Sequence, residues 1–199
     1  RRDGSTKFGP NNRFGYFPSG SIGWIVSDES FLEDNSIFSF IKLRASYGIL
    51  GNDRIATNAF RGVLNGEAAY VYNGELVFGK AVGVLPNPEI QWEEQETLDI
   101  GVDLKLFDNK IDITADYFKK TTNELLLQPP ASGILGVSAP GSSAPVVNGG
   151  TVENEGFEFA IGYKAYVSDD FNFGINYNVT FLENKAITVN NGLGYIAGG

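Results

Sequence analysis

Apolar and polar side chains change places at every residue between positions 97 and 106. Leu98, Ile100, Val102, Leu104 and Leu106 alternate with Thr97, Asp99, Gly101, Asp103 and Lys105. The alternation pauses at Phe107-Asp108-Asn109-Lys110. It then resumes, with Ile111, Ile113, Ala115 and Tyr117 separated by Asp112, Thr114 and Asp116. A period of two belongs to a strand, whose successive side chains point to opposite faces. On a helix the same order would scatter charge around the whole surface. The stretch 95–120 therefore predicts two antiparallel strands joined by a tight turn, greasy on one face and charged on the other.

The unit recurs on both sides. Upstream, Phe14, Tyr16, Pro18, Gly20, Ile22, Trp24 and Val26 share one parity, and Ile41, Leu43, Ala45, Tyr47 and Ile49 form the return strand. Lys42, Arg44, Ser46 and Gly48 face the other way. Pro18 lacks a backbone donor, which predicts a bulge or an open pairing there. The acidic stretch 27–36 reads as a turn with a short helical piece around Phe31. Downstream, Phe157, Phe159, Ile161, Tyr163, Ala165 and Val167 alternate with Glu158, Ala160, Gly162, Lys164 and Tyr166. Ser168-Asp169-Asp170 turns the chain. Phe171, Phe173, Ile175, Tyr177, Val179 and Phe181 then alternate with small or Asn-rich partners.

The expected architecture is all-β: one antiparallel up-and-down sheet of about six long strands. Its connections alternate in length. Short turns fall near Asp28, Asp108 and Asp169, and long ones at 50–92, 121–152 and 184–199. Residues 1–12 read as a loop. Within the long connections, Asn52-Asp53 and Asn65-Gly66 are turn signals, and Tyr72-Asn73-Gly74-Glu75 has the form of a hairpin tip. Pro129-Pro130 and Pro140-Gly141 mark the second long loop.

Composition narrows the chemistry. The 199 residues contain no Cys and no His, which removes disulfides, thiolate nucleophiles and the commonest metal ligand and general base. No cofactor or metal is expected. A net charge of −9 disfavours nucleic-acid partners. No apolar window is long enough for a transmembrane helix, but barrel strands carry a far weaker hydropathy signal. Arg1-Arg2-Asp3-Gly4 has no signal-peptide pattern, and both ends read as cut from a longer protein.

Two architectures share this pattern. In a secreted β-sandwich, an adhesin or carbohydrate-binding module, the apolar faces of two sheets would pack about 10 Å apart. In an outer-membrane barrel they would face lipid, with short periplasmic turns and long extracellular loops. Strand length favours the barrel, because a tilted membrane strand needs about 9–11 residues. So do Tyr16, Trp24, Tyr117, Phe171 and Phe181 near strand ends, where interfacial girdles sit.

Several motifs resemble one family. Arg1-Arg2-Asp3-Gly4-Ser5, the run Phe8-Gly9-Pro10-Asn11-Asn12-Arg13-Phe14-Gly15-Tyr16-Phe17-Pro18-Ser19, and Gly23-Trp24 look like the barrel of SusC/RagA-type TonB-dependent transporters. Leu43-Arg44-Ala45-Ser46-Tyr47-Gly48 with Gly51-Asn52 follows in the expected order. So do Asn87-Pro88-Glu89-Ile90-Gln91-Trp92-Glu93, Asp116-Tyr117-Phe118-Lys119-Lys120-Thr121-Thr122 and Asn154-Glu155-Gly156-Phe157-Glu158. The resemblance spans nearly the whole chain. It implies a Gram-negative outer-membrane barrel of about 22 strands, plugged by an N-terminal domain. This chain would supply residues 1–199 as a partial barrel domain, without the plug. The resemblance also implies import of oligosaccharide or peptide fragments with a SusD-like lipoprotein, energised by the TonB complex through the plug. Membrane lipid and lipopolysaccharide would surround the barrel. Neither reading makes the protein an enzyme.

On the polar faces, Lys42, Arg44, Asp99, Asp103, Asp116 and Glu158 are candidates for shaping the field of a wet lumen. Carboxylates such as Glu93, Glu94 and Glu96 could serve a glycosidase only if paired across a cleft, and solvated wall charges explain them more simply. In the loops, Asn52, Asp53, Tyr70, Tyr72 and Tyr195 could bind or stack on sugars. Asn52-Asp53 and Asp169-Asp170 offer oxygen ligands for calcium but lack the spaced acidic loop of an EF-hand.

Overall fold

A computed structural model describes residues 1–33, 35–64, 66–129, 142–168 and 170–189. Its strands are β1 (Arg2–Gly4), β2 (Phe14–Tyr16), β3 (Ser19–Ile25), β4 (Phe38–Asn52), β5 (Gly66–Tyr72), β6 (Glu75–Ala81), β7 (Glu93–Leu106), β8 (Ile111–Asn123), β9 (Leu126–Leu127), β10 (Val147–Asn148), β11 (Gly150–Ser168) and β12 (Phe171–Val189). Six of them form one antiparallel sheet in the order β12-β11-β8-β7-β4-β3. Each long strand therefore pairs with its neighbours in sequence, as the alternation predicts.

Register carries the alternation across the sheet. Ala45 lies opposite Ile100, Ile100 opposite Tyr117, Tyr117 opposite Phe157 and Phe157 opposite Phe181. One row on, Leu43, Val102, Ala115, Phe159 and Val179 line up in the same way. Every apolar set thus lands on one face. The rows between, such as Arg44, Gly101, Asp116, Glu158 and Thr180, land on the other. Ile22, Trp24, Leu43, Ile100, Phe157 and Tyr177 are all exposed on the apolar face. The other sheets among the described residues are two-stranded ribbons. A face-to-face sandwich needs a second broad sheet on that face, and the described residues form none.

The turns follow their residues. Asn73 and Gly74, with φ of 53° and 82°, close the β5–β6 hairpin, as Asn-Gly chemistry predicts. Phe107, Asp108 and Asn109 are all left-handed, with φ of 52°, 55° and 64°. That strained turn is tied to the neighbouring strand: Phe107 N–H donates to Ile37 O at 2.9 Å, and Asn109 N–H to Ser39 Oγ at 3.3 Å. Single 3₁₀ turns at Val26–Asp28 and Ser30–Leu32 join β3 to β4, the helical piece expected near Phe31.

Several expected boundaries are corrected. The upstream strand breaks at Phe17-Pro18 into β2 and β3, and β2 pairs instead with β1, inside the stretch read as loop. Pro18 cannot donate, yet its carbonyl accepts from Ile49 N–H at 2.9 Å and keeps half of the local pairing. The 50–92 connection contains the β5–β6 hairpin. The last strand runs to Val189 rather than ending before Asn184, because Glu155, Asn154 and Glu153 of β11 continue the ladder beside it. Asp169, Pro130, Pro140, Gly141 and Tyr195 lie outside the described residues.

The largest buried side chains gather at one end of the sheet. Phe8, Phe17, Ile90 and Trp92 form the core, with Ile49, Ile55 and Phe60 packed around it. Trp92 meets Phe8 at a ring separation of 5.0 Å and Phe17 edge-on at 5.4 Å. Its indole N–H donates to Asn12 O at 3.1 Å. Gly51 and Glu94 face each other on the parity of Ile100, so this small core caps the upper end of the apolar face. The Phe17 ring lies directly on Gly51, where a Cβ would overlap it. Gly51→Ala must push that ring off Trp92, and overpacking of this kind costs about 1–3 kcal/mol. Equilibrium unfolding of the full-length protein in detergent should show that loss; an unchanged midpoint would mean the ring moves freely.

Candidate functional site

The polar face is organised by one guanidinium. Arg44 of β4 projects toward β7 and β8, where register sets Gly101 opposite Arg44 and Asp116 opposite Gly101. With no side chain at position 101, the guanidinium reaches across β7. Its Nε donates to Asp103 Oδ2 at 2.9 Å and Nη2 to Asp103 Oδ1 at 3.2 Å. Nη2 also donates to Asp116 Oδ2 at 3.1 Å. Asp99 stands 3.7 Å from Nη1. A Cβ on Gly101 would clash with the Asp116 carboxylate and lie 2.9 Å from Arg44 Cζ. Thr114 Oγ1 adds a long bond to Asp103 Oδ1 at 3.4 Å.

One cation therefore serves three carboxylates, and the cluster keeps an excess of negative charge. Lys42 lies opposite Asp103 and Glu158 opposite Asp116, on the same face. Neither makes an ion pair or side-chain hydrogen bond with a described residue. All six polar-face candidates thus share one face, and four of them make a single network. Gly101 and Thr114 were missed by residue type. Pairing the two alternating runs through the turn at Asp108 would have set Gly101 opposite Asp116; the approach of Arg44 depends on the β4–β7 register, which no short turn fixes.

The apolar face has a sharp upper limit. Beyond the row of Ile100, Tyr117, Phe157 and Phe181 comes a row containing Lys119, Glu155 and Glu183. Lys119 pairs with Glu153 at 2.8 Å, and Lys185 lies 3.0 Å from Glu183 and 3.6 Å from Glu155. The Glu183 carboxylate raises the pKa of Lys185, with Glu155 adding to the effect. Tyr117 and Tyr47 bridge the limit, with apolar rings below and hydroxyls donating upward to Glu155 at 3.3 Å and Glu96 at 3.1 Å. At the opposite end Trp24 Nε1 donates to Glu29 at 2.9 Å.

The loop candidates separate. Asn52 Nδ2 donates to Glu93 Oε1 at 2.8 Å, and its Oδ1 accepts from Arg54 N–H at 3.0 Å, so it holds a turn. Asp53 accepts from Ser5 Oγ at 2.8 Å and lies 3.5 Å from Lys7 Nζ, which ties the N-terminal segment down. Tyr70 and Tyr72 stand on β5 with rings 73% and 70% exposed. The carboxylates Glu93 and Glu96 accept from Asn52, Leu126 N–H and Asn123, which ties them to the frame of the sheet.

Comparison with known proteins agrees with this arrangement. The family described as TonB dependent receptor-like, beta-barrel matches residues 1–198. TonB-dependent receptor P3 of Formosa agariphila is 34% identical over 193 residues, covering 96% of this chain and 19% of that protein. TonB-dependent receptor SusC of Bacteroides thetaiotaomicron is 31% identical over 195 residues, covering 96% and 19%. The solved RagAB peptide transporter superposes with a TM-score of 0.82 at 24% identity, covering 96% of this chain and 20% of that one. The chain spans about a fifth of the length of these relatives.

Removing Arg44 leaves three carboxylates facing one another across two strands. The Arg44 side chain is 31% exposed, so water softens the loss. Arg44→Ala should cost about 1.5 kcal/mol, the low end for hydrogen bonds to charged groups. Arg44→Lys should recover only part of it, because a point charge cannot form the fork. Asp99→Asn should be close to neutral. Denaturant midpoints of the three full-length variants test the order; equal midpoints would deny the network a structural role.

Proposed function

Since the chain belongs to the TonB-dependent receptor-like β-barrel family, whose members are outer-membrane proteins, we propose that residues 1–199 form part of the wall of a closed barrel of about 22 strands. The apolar face meets lipid, and the face bearing Arg44 lines a wet lumen. The full-length protein imports oligosaccharide or peptide fragments, with a SusD-like lipoprotein as its lid and TonB acting through a plug domain. It is a transporter and carries out no covalent chemistry. The likeness to SusC and to the RagAB peptide transporter supports this reading.

The observation that carries it is the height of the apolar band. Along β7 the apolar parity runs from Leu98 to Leu106, nine residues, and then gives way to Glu96 and Glu94. That is the length a tilted strand needs to cross the hydrocarbon. Tyrosines with hydroxyls turned to the charged row, and Trp24 at the other end, match interfacial belts. β11 and β12, at 19 residues each, are long enough to continue past the membrane and carry loops above it. The exposed β5–β6 hairpin, with Tyr70 and Tyr72, is the loop element best placed to meet a lid or substrate.

On the lumen side, Arg44 and its carboxylates fix the wall. Lys42 and Glu158, which have no described partner, set the field a passing substrate meets. Uptake of a labelled oligosaccharide or peptide by cells carrying the full-length protein should stop when TonB is deleted; uptake that persists without TonB would refute energised import.

Lipid contact has its own test. Ile100 lies near mid-band and is half exposed on the bare sheet. In a packed protein core, Ile→Ala costs about 2–5 kcal/mol because a cavity remains. Acyl chains fill the gap at a lipid-facing site, so Ile100→Ala should cost clearly less. Ile100→Arg at that depth should cost about 2–4 kcal/mol. Equilibrium unfolding in lipid measures both, and a cavity-sized loss for Ile100→Ala would contradict lipid contact.

A further inference from the structure

A recess lies on the other side of the wall from Arg44. It opens between residues 11–16 and the start of β7, with the end of β8 as its third side, and encloses about 460 Å³. Glu94 and Asn123, which pair across β7 and β8, bring it onto the face of Ile100. Glu94 lies four residues beyond Leu98, so the recess stands above the apolar band by about 13 Å of strand at roughly 3.3 Å per residue.

Its frame is held by hydrogen bonds already made. Trp92 Nε1 donates to Asn12 O at 3.1 Å, and Asn12 Nδ2 to Glu89 O at 3.0 Å. Asn148 clamps two loops: its Nδ2 donates to Gln91 O and Glu124 O at 3.0 Å each, and its Oδ1 accepts from Gln91 N–H at 3.0 Å. Asn123 Nδ2 donates to Glu96 Oε1 at 3.0 Å. The rim differs. Asn11, Gln91, Glu94 and Glu124 line the opening, and their side chains make no hydrogen bond or ion pair with a described residue. Beside them stand the rings of Phe14, 52% exposed, and Tyr16, 65% exposed. Arg2 stacks on Phe14 at 4.0 Å and holds that ring at the edge.

A rigid frame with two free amides, two free carboxylates and two exposed rings, one of them already carrying Arg2 on one face, suits one class of ligand. A sugar has an apolar C–H face that packs on aromatic rings and a rim of hydroxyls that both donate and accept. Amides and carboxylates answer those hydroxyls. The two lining carboxylates, Glu94 and Glu124, outnumber the one guanidinium at the edge, Arg2, so the recess disfavours phosphate and carboxylate groups and favours a neutral or amine-bearing sugar. We infer that this recess, on the lipid-facing side of the barrel just above the bilayer, binds a neutral or amine-bearing oligosaccharide. At that height the sugars of outer-leaflet glycolipids stand beside the wall, and a diffusible glycan offers the same chemistry. The location rests on the barrel reading proposed above; the chemistry of the recess does not.

The test uses the full-length protein in nanodiscs, with binding followed by calorimetry. The probes are a delipidated core oligosaccharide freed of its acidic sugars and phosphates, a glycolipid bearing that same neutral oligosaccharide, a neutral glucan hexamer and an acidic uronate hexamer. At least one neutral or amine-bearing probe should bind, and the uronate at least tenfold more weakly. Tyr16→Ala and Gln91→Ala should each weaken binding about tenfold or more. Glu94→Gln should narrow the gap between neutral and acidic probes. Equal binding of the core with and without lipid assigns the glycolipid as source; binding of the glucan alone assigns a diffusible glycan, and both outcomes uphold the site. Binding of intact glycolipid alone, indifferent to all three substitutions, would place recognition on the apolar band and overturn the proposal. So would the absence of saccharide binding, or a preference for the uronate. Heat-modifiable mobility and TonB-dependent uptake of the same variants report separately on the barrel and on transport. Loss of either in the wild type counts against the barrel reading and not against the recess.

Discussion

Backbone hydrogen bonding in a medium without water governs this structure. Within hydrocarbon an unpaired N–H or C=O has no solvent to turn to, and a sheet survives only if each strand satisfies its neighbours. The ladder from β4 through β7, β8 and β11 to β12 meets that demand in continuous register. Its irregularities lie near strand ends, at Phe38/Phe40, Thr151/Val152 and Tyr166/Ser168. The break at Phe17-Pro18 also lies above the apolar band, beside the small loop core. Proline's missing donor is tolerated there, where water can donate to the acceptor left without a partner.

Once register is fixed, the polar face is fixed with it. Arg44 can serve Asp103 and Asp116 because the ladder brings a glycine between them. The fork thus depends on a residue that contributes no contact of its own. The same logic operates above the band, where Gly51 admits the Phe17 ring against the sheet. In both positions a glycine on one strand is a socket for a large side chain from another. Neither glycine has a positive φ; close approach, not backbone freedom, is what each provides.

The two faces divide the work. One is an exposed band of apolar residues, the face proposed to meet lipid. The other concentrates charge in a network whose geometry is specific to each atom. Above both, the loop segments use a different kind of order. Phe8, Phe17, Ile90 and Trp92 make a conventional packed core; Asn12, Asn52 and Asn148 lock it with side-chain bonds to backbone, and Asp53 ties in Ser5 and Lys7. That construction leaves rigid surfaces above the membrane on which binding groups can be held in place.

The period-two alternation by itself determined six strands, their sequential antiparallel pairing and the separation of apolar from charged faces, because parity follows from the chain's own geometry. The Asn73-Gly74 tip and the break at Pro18 were legible for similarly local reasons. Residue type also selected Arg44, Asp99, Asp103 and Asp116, but gave no sign that they converge while Lys42 and Glu158 stand apart. That depends on which residues register sets opposite one another, and on the absence of a side chain at Gly101. The pairing of β1 with β2, the extension of β12 to Val189 and the recess beside Trp92 were likewise decided only in three dimensions. The first two rest on which neighbouring segment a strand takes as partner, which parity alone does not set; the recess joins Asn12 to Trp92, and no local pattern encodes a contact whose partner lies 80 residues away.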